Sequence, residues 1–249
     1  MTLRVFVDLP LQDGATLDLP AGAARHVQVL RLQPGDGLVL FNGLGGEWAA
    51  QVQAMGRSSV QVVVGVHGEP GREPSRRIGL ALGMPANERM DALVEKAVEL
   101  GVSWIQPLQT RRSVLRLQGE RAAKRVQHWQ GVAQAAAEQS GRTVLPQVLP
   151  ILELDRWLAG LPAGPEAAAP GVDRLLLCFR PEARLPGRWG QPLASTVWCL
   201  SGPEGGLEEA EEALALARGF APLRLGPRVL RADTAPLVAL SWAAGLLDG

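Results

Sequence analysis

The 249-residue sequence has no tyrosine, two lysines (Lys96 and Lys124), two asparagines (Asn42 and Asn87) and two cysteines, Cys178 and Cys199. Two cysteines make neither a disulfide framework nor a zinc cluster, which fits a reducing, cytoplasmic setting. The three histidines, His26, His67 and His128, lie far apart without metal-ligand spacing, so no metal is expected. There is no G-x-S-x-G elbow and no Walker loop. No apolar run approaches the roughly 18 residues of a membrane span; the longest, Leu237 to Leu247, contains Ser241. The opening MTLRVFVDLP carries charges and a proline where a signal peptide needs an apolar stretch. Lys+Arg and Asp+Glu are both 25, so any nucleic-acid binding must come from a local patch rather than from the overall field. The arginine excess fits heat adaptation or codon bias equally well.

Residues 1–66 read as β. RVFVDL, ATLDL, GLVLFNG, EWAAQVQAM and SVQVVVGV are short, often alternating, and separated by turn residues. PAGAARHVQVLRLQPGD breaks the pattern: Ala23, Val27 and Leu30 share one helical face before Pro34-Gly35, predicting a short helix. HGEPGREPSRR, residues 67–77, crowds Gly, Pro and charge without periodicity and reads as a linker. Beyond it, apolar strands (IGLALGM, WIQPLQT, VLPQVL, DRLLLCF, STVWCLSG, APLRLG) alternate with helices. The first of these helices turns Met90, Leu93, Val94, Ala97 and Val98 inward and stops at Gly101. A long helix ends at Gly141, and residues 160–171 read as a surface loop. The alternation predicts a mostly parallel sheet covered on both faces.

Three segments carry candidate chemistry. In SGPEGGLEEAEE, residues 201–212, an apolar strand runs into Gly202-Pro203-Glu204-Gly205-Gly206 and then a helix. Such a turn falls at the carboxyl end of a strand, where open α/β sheets bind ligands, and glycine admits close approach to the backbone. Glu208, Glu209, Glu211 and Glu212 disfavour a polyanion, so the pattern suits a ligand held by backbone contacts without a triphosphate. A tight turn with an acidic helix start is the alternative. LRLGPRVLRADTAP, residues 223–236, turns at Gly226-Pro227 and enters a helix at Asp233 or Thr234. Asp233 reads equally as an N-cap, with Pro236 in the first turn, or as a catalytic carboxylate. Two such elbows after neighbouring strands would make a pocket. RRSVLRLQGERAAKR, residues 111–125, sets Arg111, Arg112, Arg116, Arg121, Lys124 and Arg125 against Glu120. It is either a phosphate-binding patch or a solvated helix face. His26 and Arg31, flanking the short helix, read alone as a satisfied surface pair.

Together these segments resemble the RsmE family of SPOUT methyltransferases. The resemblance keeps its order along nearly the whole chain: RVFV, HVQVLRLQPGD, EKAVELGVSWIQPLQTRRSV, HWQGVAQAAAEQSGR, SGPEGGL, LGPRVLRADTAP. It departs at Asp233-Thr234-Ala235, where the family usually has Glu-Thr-Ala; the charge is kept and the reach is one methylene shorter. The resemblance implies an α/β protein with a PUA-like β-barrel for RNA recognition over residues 1–70. Residues 71–249 would form a SPOUT-type α/β domain with a deep trefoil knot. The implied activity is S-adenosylmethionine-dependent methylation of N3 of one uridine in the 16S rRNA of the small ribosomal subunit, by a homodimer. Carried onto this sequence, the cofactor loops are Leu200, Gly202, Pro203, Glu204, Gly205 and Gly206, then Leu225, Gly226, Val229, Leu230 and Arg231, with Thr234 following. Arg231 would stabilise charge on the uracil oxygens, and Glu204 or Asp233 would accept the N3 proton; an Arg–carboxylate pair bracing the knot is the alternative. RNA contacts are expected at Arg111, Arg112, Ser113, Arg116, Arg121, Lys124, Arg125 and Arg142, and at His26 and Arg31 in the β domain. The competing functions are a non-catalytic RNA-binding or ribosome-assembly factor and methylation of another RNA atom.

Overall fold

The computed structural model describes residues 2–86, 89–162 and 171–245. Most of the loop expected at 160–171, and the last residues of the C-terminal helical run, fall outside them. The chain divides into two compact units, Met1–Glu73 with Gln134–Leu145, and Pro74–Ala133 with Pro146–Gly249. A contiguous boundary at residue 70 therefore misses a segment: the β-rich unit recruits residues from the far end of a long helix.

In the first unit, β1 (Arg4–Phe6), β3 (Gly37–Phe41), β4 (Glu47–Met55), β5 (Val60–Gly68) and β2 (Thr16–Asp18) form one sheet in that order. Alternation decides its inner face: Val60, Val62 and Val64 of β5 are buried, as are Ala50 and Val52 of β4. Register shifts between Trp48 and Ala50 and between Val52 and Ala54 are irregularities of the kind that bend a strand and increase its twist. The ladder ends at β1 and β2, so among the described residues hydrogen bonds do not close it into the expected barrel. Helix α1 (Ala21–Val29) adds Ala24 and Val27 to the sheet's core. Leu30, expected on the inner face, is instead 51% exposed. The helix stops before it, and Arg31 takes a left-handed φ of 60°.

The expected linker is shorter than 67–77, because β5 runs to Gly68 and β6 begins at Arg77. Nor is it loose. Glu73 accepts hydrogen bonds from Arg142 Nε and Nη2 (3.1 and 2.6 Å) and from the amides of Thr143 and Val144 (2.8 and 3.0 Å). Burial alone would raise the Glu73 pKa, but the Arg142 guanidinium and the two amides outweigh it and hold the carboxyl below its ordinary value. A carboxylate with a depressed folded pKa stabilises the protein above its unfolded pKa and loses that contribution as pH falls through the folded one. Glu73→Gln is expected to cost on the order of 3 kcal/mol at neutral pH, because it removes the charged carboxylate that faces the buried Arg142 guanidinium. In thermal melts, the gap between variant and wild type should narrow as pH drops below about 4.5, the ordinary value. A pH-independent gap would assign the loss to packing.

The second unit contains a parallel sheet in the order β12 (Ala221–Leu223), β10 (Val172–Leu177), β11 (Thr196–Ser201), β6 (Arg77–Gly83), β7 (Trp104–Gln109), β8 (Gln147–Val148), with β9 (Leu152–Glu153) also on β7. Continuous apolar runs make central strands buried on both faces; β6 is buried from Ile78 to Gly83. Gly79 lacks a Cβ that would lie 2.5 Å from the Trp198 ring, and Trp198 stacks on Trp104 at 5.7 Å. The helices are α2 (Arg89–Glu99), α3 (Gly119–Ser140), α4 (Leu154–Ala159), α5 (Glu209–Ala217) and α6 (Thr234–Ala243). All five residues expected on the inner face of α2 are buried, and Gly101 follows it with φ 95°. Asp91 of α2 accepts from the Trp129 indole (2.9 Å) and pairs with His128 (2.7 Å) on α3, so His128 is a packing clip. Among the described residues no helix is long and apolar enough to cross a membrane, and no cluster could hold a metal ion.

Candidate active site

Strands β10, β11 and β12 are parallel neighbours, so their carboxyl ends lie on one edge of the sheet. The loops leaving them enclose a pocket of about 560 Å³, within the range of small-molecule sites. Leu177 to Phe179 come from the end of β10 and its loop, Ser201 to Leu207 from the end of β11 and its loop, and Leu223, Leu225 and Arg228 to Ala232 from the end of β12 and its loop.

The β11 loop is shaped by missing side chains. A Cβ on Gly202 would lie 2.7 Å from the carbonyl carbon of Gly206 and from the amide nitrogen of Leu207; one on Gly83 would lie 2.6 Å from Pro203 Cδ. Only glycine at both positions lets the end of β6 and both limbs of the loop pack together. Gly206 closes the turn through its amide to the Pro203 carbonyl at 2.8 Å. At Gly205 an added Cβ would meet Arg112, which also lines the pocket and whose Nη1 donates to the Gly205 carbonyl at 2.8 Å. At Gly226 the constraint is conformational, a φ of 135° with open space around it.

The acidic residues resolve into separate roles. Glu211 is 1% exposed and accepts from the Glu208 and Arg111 amides at 2.8 and 2.9 Å. Glu212 lines the pocket and pairs with Arg180 at 3.2 Å. Glu204 accepts from the Ala86 amide (3.1 Å) and pairs with Arg89 (3.2 Å). Both carboxylates on the pocket wall are thus neutralised by arginine. Asp233 does not cap α6: its backbone is helical (φ −85°, ψ −24°), it makes no cap bond, and its Oδ1 is buried without a hydrogen-bond partner among the described residues. Both cysteines are buried. Burial raises the thiol of Cys178 and pushes that of Cys199 up to about 12.

Of the expected cofactor residues, Gly202, Pro203, Glu204, Gly205, Gly206, Leu225, Val229, Leu230 and Arg231 share this one pocket. Leu200 is buried inside β11, and Gly226, Asp233 and Thr234 lie off the wall. Of the expected RNA residues, Arg111 pairs with Glu208 (3.4 Å) and Asp155 (3.6 Å), and Arg116 donates to the Thr110 and Arg111 carbonyls (both 3.1 Å). Two expectations are corrected. Ser113 is buried, its hydroxyl accepting from the Thr110 amide at 2.9 Å, and Arg142 is 5% exposed on Glu73. Both serve the interior. Arg121 and Lys124 are exposed on α3, Lys124 pairing with Glu120 at 2.8 Å, and Arg125 lies over the Trp129 ring. His26 faces Glu138 at 3.9 Å, not Arg31. Sequence reasoning missed Arg89, Arg228, Gly83 and Phe179; the apolar run ending in Cys178-Phe179 was the same strand-end signal that exposed the other two loops.

A family model described as an RNA methyltransferase domain matches residues 72–244, and an RNA methyltransferase PUA domain matches residues 19–65. Fold and site thus define an RNA methyltransferase with a PUA-like N-terminal domain. The ribosomal RNA small subunit methyltransferase E of a Synechocystis strain is 34% identical over 94% of this chain and 74% of its own length. The solved structure of a ribosomal RNA small subunit methyltransferase E from Neisseria gonorrhoeae, bound to S-adenosylmethionine, is 34% identical with a TM-score of 0.89, covering 99% of this chain and 98% of that one. A Legionella pneumophila methyltransferase in complex with the same cofactor is 32% identical with a TM-score of 0.88, over 99% and 98% of the two chains. The chain belongs to the ribosomal RNA small subunit methyltransferase E family.

Proposed function

We propose that this protein transfers a methyl group from S-adenosylmethionine to N3 of one uridine in the 16S rRNA of the small ribosomal subunit, in the cytoplasm. The carrying observation is the single pocket that unites GPEGG and LGPRVLR. Its residues fit that cofactor. Leu177, Leu207, Leu223, Leu225 and Leu230 offer apolar walls to a flat base, and the turns offer backbone groups. When bound, the cofactor supplies an activated methyl group on a sulfonium sulfur.

Uracil N3 must lose its proton before it can attack. Arg231 lines the pocket, and its permanent cation would stabilise the charge that develops on the uracil oxygens. Glu204 is committed to Ala86 and Arg89, whereas Asp233 carries a buried oxygen without a partner among the described residues. Asp233 lies off the pocket wall, just beyond Arg231 and Ala232, so in this reading it would take the N3 proton through a bridging water. Two finer features belong to the same reading. Residues 224–233 lead from β12 at the sheet edge to α6, which packs against β11 and β6, the kind of crossing a trefoil knot requires. Val229, 83% exposed, and Val238 on α6 leave apolar surface for a second copy of the chain.

Mass mapping of 16S RNA from a strain lacking the gene is expected to show one uridine without its base methyl group, restored by purified protein and cofactor. An unchanged map, or a methyl group on ribose, would overturn the reading. A purified protein that does not bind S-adenosylmethionine would favour the non-catalytic alternative. Reversing Arg121, Lys124 and Arg125 to Glu should lower the salt slope of RNA binding by roughly 0.7–0.9 for each phosphate no longer neutralised, with cofactor affinity unchanged. A wild-type slope would make that run a solvated face.

A further inference from the structure

A second cavity, of about 650 Å³, lies within the first unit, framed by Leu3, His26, Leu30, Leu32, Asp36 and Glu138. Its walls and its polar groups ask for different things. Leu30 is half-exposed, and Leu32, packed against the apolar core of that unit, is only partly buried. Glu138 Oε1 is committed to the Phe6 amide (3.0 Å) and the Gln134 side chain (3.3 Å). Its Oε2 faces His26 Nδ1 at 3.9 Å, too far for a hydrogen bond. Asp36 is oriented the same way, with Oδ2 fixed by the Gln33 amide at 2.7 Å. Each carboxylate is anchored through one oxygen and keeps acceptor capacity on the other.

Arg4 also lines the cavity, but its guanidinium is engaged by Glu47 and by the Arg142 carbonyl. The two carboxylates accept and never donate, so a ligand that meets them must bring N–H groups. Two carboxylates also repel a phosphate at this point. Leucine walls beside an imidazole call for a flat apolar face. An amino-bearing nucleobase has both: faces that pack and stack, and an exocyclic amino group of the kind Asp and Glu accept from in base readout. Uracil has no amino group. Unpaired RNA bases are read in this manner, splayed from the stack. Arg31, exposed and next to Leu30, offers the phosphate contact outside the carboxylates.

Resting on the reading of this protein as acting on RNA, we propose that the cavity between α1 and the last turns of α3 receives one unpaired amino-bearing base of the RNA, distinct from the uridine that is methylated. The test titrates the full chain by fluorescence anisotropy with a uridine octamer and with octamers carrying one central guanosine, adenosine or cytidine. An amino-bearing base is expected to tighten binding about tenfold over uridine alone. Glu138→Gln keeps an oxygen for the Phe6 amide while losing the carboxylate, and should bring the octamers to parity. Leu30→Ala, at an exposed position, should do the same by removing the apolar wall against which the base packs. Equal binding of all four octamers by wild type, or the wild-type preference surviving in both variants, would overturn the proposal. Both variants should bind S-adenosylmethionine as wild type does, so failure here leaves methyl transfer standing. Wild-type protein that binds no cofactor would instead overturn the methyltransferase reading itself.

Discussion

Gly202→Ala is expected to weaken S-adenosylmethionine binding by about a hundredfold, some 3 kcal/mol. The added methyl would sit 2.7 Å from backbone atoms of Gly206 and Leu207, and backbone cannot swing aside as a side-chain end can. Overpacking a rigid contact costs about 1–3 kcal/mol, and here the displaced atoms belong to the binding loop. Gly206→Ala is the control. It has open space but a φ of 70°, so it should pay only the left-handed strain of roughly 1–2 kcal/mol. Calorimetric titration of both variants, with melts to confirm folding, ranks them. Wild-type affinity in Gly202→Ala would show that this loop does not hold the cofactor.

Arg231→Ala should lower single-turnover methylation of small subunits by about a hundredfold or more while changing cofactor affinity little, the usual cost of removing one preorganised donor to a developing oxyanion. Arg231 lines the pocket with an exposed side chain, and its carbonyl accepts the Thr234 and Ala235 amides, both at 3.0 Å. Those backbone bonds survive truncation, so the variant should melt near wild type. Unfolding together with lost binding would make Arg231 a brace, and near-normal turnover would end its catalytic role.

Much of this was legible in the sequence because long periodic segments leave few choices. The inner face of α2 and the apolar runs of β10 and β11 were readable from spacing, and the two elbows followed from glycine and proline at strand ends. What escaped has physical reasons. β9 is two residues long, too short to show a period, and its place is set by pairing with Leu108 and Gln109 of β7. Leu30 fits the helical stripe, but where the stripe stops depends on Arg31 adopting a conformation that few non-glycine residues take. Ser113 and Arg142 look like surface chemistry, since nothing local reveals that Glu73 waits for an arginine 69 residues away. Gly83 looked like an ordinary end of a strand; its importance comes from Pro203, brought to it only by the sheet.

The divided composition of the N-terminal unit also bears on how the protein is made. Its sheet residues are all synthesised by Gly68, yet Glu138, which accepts the Phe6 amide, and Arg142, which neutralises Glu73, follow only after the first strands of the parallel sheet. A nascent chain halted near residue 75 holds every strand of that unit but neither of these partners. Folding of the N-terminal part during translation should therefore stay incomplete until about residue 145 has left the ribosome. Dissection of the protein into separately expressed halves calls for the 134–145 segment to be supplied in trans, not for a cut at the linker.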